Sequence, residues 1–228
     1  MPDVERFEIM YINHQPENLT VSVDAKMTLS QLQNELKKSG QFLPVGPFKH
    51  EITIKEIIDY NLLGPHAIEY GVLKNWVLGL TAHVNGEDVK FGSQVMKNVA
   101  GYDMTKLFIG TQGNLGKVKQ VIFKILPNQF QVNHEPSKIL DGTRIVLEIS
   151  QVDKFIINIK KKSGSYYNYE GLGVLDTNLD SNILNINGQT VGVKYIRLVN
   201  GIPIAEQSKH PKIIEKIQRI FNSDGTNL

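Results

Sequence analysis

The sequence contains no cysteine among its 228 residues and has little excess of charge of either sign, with a formal net charge of +2. The first absence excludes disulfides, thiol nucleophiles, zinc–thiolate sites and iron–sulfur clusters ligated by this chain. The second gives no indication of binding to nucleic acid or to a membrane surface. No apolar run reaches the roughly 20 residues of a transmembrane helix, and the first ten residues lack a signal-peptide pattern. We therefore expect a cytoplasmic protein without a transmembrane segment.

Motifs for metal binding and for hydrolysis are also missing. The chain has no HExxH or His-x-x-x-His pair, no Gly-x-Ser-x-Gly elbow and no Walker A loop. We expect no metal site, and the sequence assigns no catalytic residue. His50 and His66 are interpreted as loop or surface histidines.

Local signals predict a mixture of helices and strands before residue 127. Thr28 with Gln31, and Thr53 with Glu56, have the spacing of capping boxes that begin helices. Asn85-Gly86 predicts a tight turn between two strands. The predicted strands of this part are Phe7–Asn13, Asn18–Val23, Trp76–Val84, Asp88–Phe91 and Val118–Leu126.

After Pro127 the chain becomes polar and rich in turns, and we place a domain boundary there, between 1–127 and 128–228. The second part is predicted to be a small antiparallel sheet with a C-terminal amphipathic helix, Pro211–Phe221. Its predicted strands are Ile145–Ile149, Phe155–Lys160, Tyr166–Tyr169, Ile183–Ile186 and Val191–Val199. The expected fold class is α+β.

Glycine is concentrated in one segment, Gly92–Pro127. Gly110, Gly113 and Gly116 recur at every third residue between a predicted short helix and a predicted strand. This spacing suits a loop whose amide groups converge on an anion such as pyrophosphate. It differs from the Rossmann pattern, in which glycines follow a strand and begin a helix. The other interpretation is that these glycines only shape turns.

The same segment resembles the signature of FAD-linked oxidases of the vanillyl-alcohol oxidase type, which carry a PCMH-type FAD-binding domain. The resemblance rests on KNVAGYD (97–103), KL (106–107) and GTQGNLG (110–116), and it is strongest to the E subunit of glycolate oxidase. It extends over about residues 15–127, through PENLTVSV (16–23), MTLSQL (27–32) and the block from Gly64-Pro65 to WVLGL (76–80).

The resemblance implies an FAD site and a set of cofactor-binding residues. In the family, backbone around these motifs lines the flavin. Carried over to this chain, the implied residues are Gly64, Pro65, Tyr70, Gly71, Asn98, Gly101, Tyr102, Gly113, Leu115, Gly116 and Val118. The implied partners are a catalytic flavoprotein and an iron–sulfur subunit of a glycolate-oxidase-like complex.

Two departures from the family pattern concern the FAD pyrophosphate. The family begins with a βαβ unit whose glycine-rich loop wraps the pyrophosphate. Only 15 residues precede Pro16 here, so we expect this unit to be absent. The second phosphate loop should follow Pro44, but GPFKHEITIK (46–55) has lost the glycines that let backbone approach a ligand closely. We expect a weakened or absent grip on the phosphates.

Three functions therefore stay open at this point. The chain is a subunit of a flavin-linked 2-hydroxy-acid oxidase or dehydrogenase of the glycolate type, or a degenerate scaffold that keeps the flavoprotein fold without catalysis. The third is a chain that completes its FAD site in trans with another subunit.

Overall fold

A computed structural model describes residues 10–92, 104–184 and 193–204 of the chain. Its contacts divide these residues into two compact units. Unit 1 contains 10–43, 51–59, 76–92 and 104–131, and unit 2 contains 44–50, 60–75, 132–184 and 193–204. The predicted domain boundary after Pro127 stays a prediction.

The described elements are short. The strands are β1 (Ile12–Gln15), β2 (Thr20–Asp24), β3 (Gln41–Phe42), β4 (Val77–Val84), β5 (Glu87–Gly92), β6 (Lys117–Lys124), β7 (Leu126–Pro127), β8 (Gly142–Val146), β9 (Tyr166–Tyr169), β10 (Val174–Thr177), β11 (Lys194–Val199) and β12 (Ile202–Ile204). The helices are α1 (Leu29–Lys37), α2 (Ile54–Asp59), α3 (Ala67–Tyr70), α4 (Thr105–Phe108), α5 (Val152–Lys161) and α6 (Ser181–Leu184). Single 3-10 turns cover Pro16–Asn18, Leu73–Asn75, Asn128–Phe130 and Ile149–Gln151.

Unit 1 is built on an antiparallel sheet with the order β1-β2-β6-β4-β5, beside a two-stranded pair, β3 and β7. In its central strand β6, Val121 and Phe123 are buried at alternate positions, and Val118 is buried beyond a register shift in the pairing with β4. β4 and β5 meet at the Asn85-Gly86 turn, where both residues have positive φ, as a type I′ turn requires. The predicted hairpin is confirmed.

Both predicted capping boxes are also confirmed. Thr28 Oγ1 accepts a hydrogen bond from Gln31 N at 3.2 Å, and Gln31 Oε1 accepts one from Thr28 N at 3.0 Å. At the start of α2, the carboxylate of Glu56 accepts a bond from Thr53 N at 2.8 Å. Each box satisfies amides that the first turn of a helix leaves unpaired.

Unit 2 contains the second antiparallel sheet, with the order β12-β11-β8-β10-β9. Helix α5 packs Val152, Phe155 and Ile159 against one face of it, where Ile145 of β8 and Leu175 of β10 are fully buried. This helix and sheet form the core of the unit. The α+β class with antiparallel sheets is thereby confirmed.

Several boundaries and two assignments differ from the prediction. Phe155–Lys160, predicted as a strand, lies in helix α5, and the part of Ile183–Ile186 that is described lies in helix α6. Strands β3, β10 and β12 and helix α3 were not predicted. Of Phe7–Asn13, residues 12 and 13 belong to β1, and 7–9 lie outside the described residues, as does the predicted helix Pro211–Phe221. No helix in the described part of the chain is long and apolar enough to cross a membrane.

Candidate functional site

The glycine-rich loop 110–116 connects α4 to β6 within unit 1 and is fastened to the end of α2. Gly110 N donates to Ile58 O at 2.8 Å, and Gln112 N donates to Asp59 O at 3.0 Å. These bonds fix the loop against a helix rather than leaving its amides open. The amides of Gly110 and Gln112 are therefore used in the fold and are not free to bind a ligand.

The rest of the loop is closed by turns. Asn114 N donates to Thr111 O at 3.0 Å, and Gly116 N donates to Gly113 O at 3.2 Å. Among the described residues, no backbone acceptor is assigned to the amides of Gly113 and Leu115. An anion nest needs several converging free amides, and this loop offers at most these two.

Gly113 and Gly116 are glycines for different reasons. A Cβ on Gly116 would lie 2.7 Å from Val84 Cγ2 and 2.8 Å from His83 O, so packing excludes a side chain there. A Cβ on Gly113 would meet only Gly116 O, at 3.9 Å, and its φ of +76° is unusual for other residues. Among the described residues, only Gly116 O comes within 4 Å of that position, so the described part of the loop leaves room for a ligand at Gly113.

Leu115 and Val118 are buried, so their side chains belong to the core of unit 1 and only their backbone could face a ligand. Asn98, Gly101 and Tyr102 lie outside the described residues. Of the predicted cofactor-binding residues, the structure places Gly113, Leu115, Gly116 and Val118 in unit 1, and Gly64, Pro65, Tyr70 and Gly71 in unit 2.

In unit 2, the Gly64-Pro65 pair is held by a backbone-to-backbone contact with Gly46. A Cβ on Gly64 would lie 2.5 Å from both Cα and O of Gly46. His66 N also donates to Gly46 O at 2.8 Å. Only glycine at position 64 allows this approach. Gly64 and Pro65 are both buried.

Tyr70 and Gly71 end the short helix α3. The Tyr70 hydroxyl accepts a hydrogen bond from Val132 N at 2.7 Å, which ties α3 to the chain that leads into the second sheet. A Cβ on Gly71 would lie 2.7 Å from the side-chain nitrogen of Asn75, a contact that the flexible amide can relieve. Both residues thus have local structural roles.

The segment after Pro44 does not form a glycine-lined approach to a phosphate. Gly46 is buried against Gly64, while Lys49 and His50 are exposed. The interpretation of His50 as a surface histidine is confirmed. These described residues do not fit the FAD pyrophosphate as a glycine-rich loop would.

His66, interpreted from the sequence as a loop or surface residue, does lie in a turn before α3, but it is buried, with 6% of its surface exposed. Its ring lies edge-on to Tyr70 and to His134, with centroid separations of 5.7 Å in both cases. Burial lowers the pKa of His66, and the neighbouring His134 lowers it further, against bonds to the backbone of Val45 and Val132. The neutral imidazole is therefore favoured in the fold. Nothing in the sequence around Gly64-Pro65 indicated that His66 would be buried.

A second buried polar group was also missed. Arg144 forms two hydrogen bonds to Asp176, from Nε at 2.7 Å and from Nη2 at 2.8 Å, and a third from Nη2 to the Tyr169 hydroxyl at 3.1 Å. All three side chains are almost fully buried. Burial raises the pKa of Tyr169 and Asp176 adds to this, so the phenol stays protonated. Arg144 precedes the other two residues by 25 and 32 positions, so no local sequence pattern reveals the cluster.

No three histidine, aspartate or glutamate side chains in the described ranges come together as metal ligands. The candidate site residues thus fall into two groups, the 110–116 loop in unit 1 and the Gly64-Pro65 segment in unit 2. The buried polar residues His66 and Tyr169 also belong to unit 2.

Curated proteins of known name are similar to about half of this chain. The chain is 36% identical over 113 residues to glycolate oxidase subunit GlcD of Bacillus subtilis, which covers 49% of this chain and 24% of that protein. It is 33% identical over 119 residues to glycolate oxidase subunit GlcE of Escherichia coli, covering 51% and 34%. A D-lactate dehydrogenase of Anaerostipes hadrus is 29% identical over 117 residues, covering 51% and 25%. The chain spans about a quarter to a third of the length of these relatives.

No family model matches the chain. Among solved structures, an alkyldihydroxyacetonephosphate synthase is similar with a TM-score of 0.43 and 13% identity, over 67% of this chain and 26% of that one. The curated relatives confirm the resemblance inferred from the sequence: about half of this chain is homologous to members of the FAD-linked oxidase superfamily.

Proposed function

We propose that this chain is a subunit of a flavin-linked 2-hydroxy-acid oxidase or dehydrogenase of the glycolate type, with a PCMH-type FAD-binding domain. The observation that carries the proposal is the similarity to two glycolate oxidase subunits and to D-lactate dehydrogenases over about half of the chain. A cytoplasmic location is part of the same proposal.

The residues that would contact FAD are those implied by the family motifs. Gly113 is the best supported by the geometry, because the described residues leave room for a ligand to approach its backbone. When bound, the flavin supplies the redox chemistry, and the protein orients it. Within unit 1, this chain's part is to present backbone to the cofactor at Gly113.

The partners proposed for the chain are a catalytic flavoprotein and an iron–sulfur subunit. Support comes from the names of two relatives, which are subunits of glycolate oxidase. Because these 228 residues contain no cysteine, the cysteine ligands of any iron–sulfur cluster in such a complex lie outside them.

A scaffold without bound flavin, or an FAD site completed in trans by a partner, is the second candidate. The contact of Gly46 with Gly64 and the engaged amides of the 110–116 loop favour it, because both reduce the donors available to a pyrophosphate.

Titration of the purified chain with FAD, followed by flavin fluorescence and visible absorbance, separates these candidates. Saturable quenching with the chain alone supports the flavin-binding subunit. Quenching that requires an added partner subunit supports completion in trans. Absence of FAD binding both with the chain alone and with an added partner subunit would support the scaffold without bound flavin.

Gly113→Ala tests the residue assignment. The added methyl group would meet no described residue at close range but would occupy the space through which FAD approaches the backbone. The expected result is weaker FAD binding, with a modest loss of stability from the positive φ. Gly86→Ala is the matched control, because Gly86 also has positive φ and open space around it but lies in the β4–β5 turn. Equal FAD affinity in both variants would contradict the assignment.

A further inference from the structure

The buried cluster of Arg144, Asp176 and Tyr169 lies on one face of the unit 2 sheet. Arg144 is paired with Asp176 across β8 and β10, and Tyr169 is paired with Val174 across β9 and β10. Since alternate residues of a strand face the same side, these three side chains share a face. Ile145 and Leu175 point to the opposite face, which helix α5 covers. The cluster therefore lies on the face of the sheet that α5 does not cover, and a different segment must bury it.

The segment that contains Gly64 and Pro65 approaches this buried face. The Tyr169 hydroxyl is 3.3 Å from Leu63 O, the carbonyl directly before Gly64, although 106 residues separate the two in sequence. The hydroxyl also lies 3.0 Å from Asp176 Oδ2 and accepts a bond from Arg144 Nη2. The single hydroxyl proton has two acceptors within reach, the carboxylate of Asp176 on the sheet and the backbone carbonyl of Leu63.

The position of the hydroxyl is strongly constrained. The Tyr169 ring lies beneath the Arg144 guanidinium, 5.3 Å from its centroid, and packs edge-on against Tyr167 at 4.9 Å. The guanidinium is fixed in turn by its two-pronged bond to Asp176. A donor held this firmly in a buried site sets the place of the carbonyl that it contacts.

We propose that Tyr169, oriented by the Arg144–Asp176 pair, is a positioning residue that fixes the Gly64-Pro65 segment through the carbonyl of Leu63. With respect to flavin binding this inference rests on the proposed function, since Gly64 and Pro65 touch FAD only if that proposal holds. The positioning itself is a property of unit 2 alone.

The test is hydrogen exchange of the His66 amide, whose bond to Gly46 O reports on the segment. Tyr169→Phe keeps the ring and removes the hydroxyl, and we expect exchange at His66 to be about tenfold faster, the effect of losing one typical hydrogen bond. Tyr166→Phe is the matched control, because Tyr166 lies on the same strand but packs on the α5 side. Arg144→Lys, which keeps the charge but loses the fork, should give a smaller acceleration in the same direction.

FAD affinity of the same variants distinguishes the two proposals. If the wild-type chain binds FAD, Tyr169→Phe should raise its Kd by about fivefold to tenfold, because a buried hydrogen bond of this size is worth about that factor, while Tyr166→Phe leaves it unchanged. If the wild-type chain binds none, the proposed function fails and the exchange result still decides the inference. His66 exchange at the wild-type rate in Tyr169→Phe would overturn the positioning role.

Discussion

At the scale of single residues, glycines that look alike in the sequence have different physical requirements. Gly64 and Gly116 are required by close packing, against Gly46 backbone and against the β4 strand respectively. Gly113 has no such close neighbour in the described part of the chain. A motif of regularly spaced glycines therefore mixes positions that serve folding with one that could serve a ligand.

Gly116→Ala should destabilise the protein strongly. Its Cβ would overlap Val84 Cγ2 and His83 O, and overpacking together with backbone strain costs about 2–4 kcal/mol. Urea unfolding followed by circular dichroism measures the change, with Gly86→Ala as the control for strain without a clash. A loss of stability equal to that of Gly86→Ala would show that the packing reason is wrong.

Removal of one partner of the buried ion pair should also be costly. Asp176→Asn leaves the Arg144 charge buried without a counter-charge, which typically destabilises by about 3–5 kcal/mol. The double variant Arg144→Met with Asp176→Leu removes both charges and should recover most of that loss. Thermal unfolding of the three proteins checks this, and a double variant no more stable than Asp176→Asn would contradict it.

The pKa of His66 predicts a dependence of stability on pH. Because its folded pKa lies below the unfolded value, the unfolded state binds more protons near and below pH 6.5. Stability from this group is present above pH 6.5 and falls as the pH drops. His66→Gln should flatten the decline between pH 7.5 and 5 in urea-unfolding measurements. His50→Gln, at an exposed site, should keep it, and equal profiles for the two variants would remove His66 as the cause.

At the scale of helices and strands, local signals were predictable and distant ones were not. The capping boxes at Thr28 and Thr53 and the Asn85-Gly86 turn need only neighbouring residues, and all three are confirmed. Strand β10 holds Asp176, a residue disfavoured in strands, whose charge is balanced by Arg144, 32 residues earlier. A prediction from neighbouring residues alone cannot include this ion pair, because its two partners are 32 residues apart.

Helix α5 was predicted as a strand because its isoleucines are β-branched and its apolar residues run together. The same residues fit two periods, and tertiary packing decided between them. In the helix, Val152, Phe155 and Ile159 form one buried stripe and Ile157 is 54% exposed.

Two alanine variants separate these assignments. Phe155→Ala should cost about 3–5 kcal/mol because it opens a cavity in the core, whereas Ile157→Ala should change stability by less than about 0.5 kcal/mol. In a strand, residues 155 and 157 would share a face and cost similar amounts. Chemical denaturation of both variants is the measurement, and similar losses would contradict the helix.

At the scale of the whole molecule, the family and the fold class could be predicted from the sequence, whereas the environment of the candidate site could not. The motif at 110–116 led to the superfamily that the relatives confirm. It did not show that the amides of Gly110 and Gln112 donate hydrogen bonds to the end of α2, nor that the backbone of Gly46 packs against Gly64. These contacts depend on distant segments.

The bond between Tyr169 and Leu63 also bears on how the protein is made. Residues 60–75 leave the ribosome well before β8, β9 and β10, which supply the surface beneath them. At about 5–20 residues per second, the 106 residues between the two partners correspond to a delay of roughly 5–20 seconds. During synthesis the Gly64-Pro65 segment must therefore remain without its sheet for seconds, and it can reach its final place only after β9 and β10 have been made.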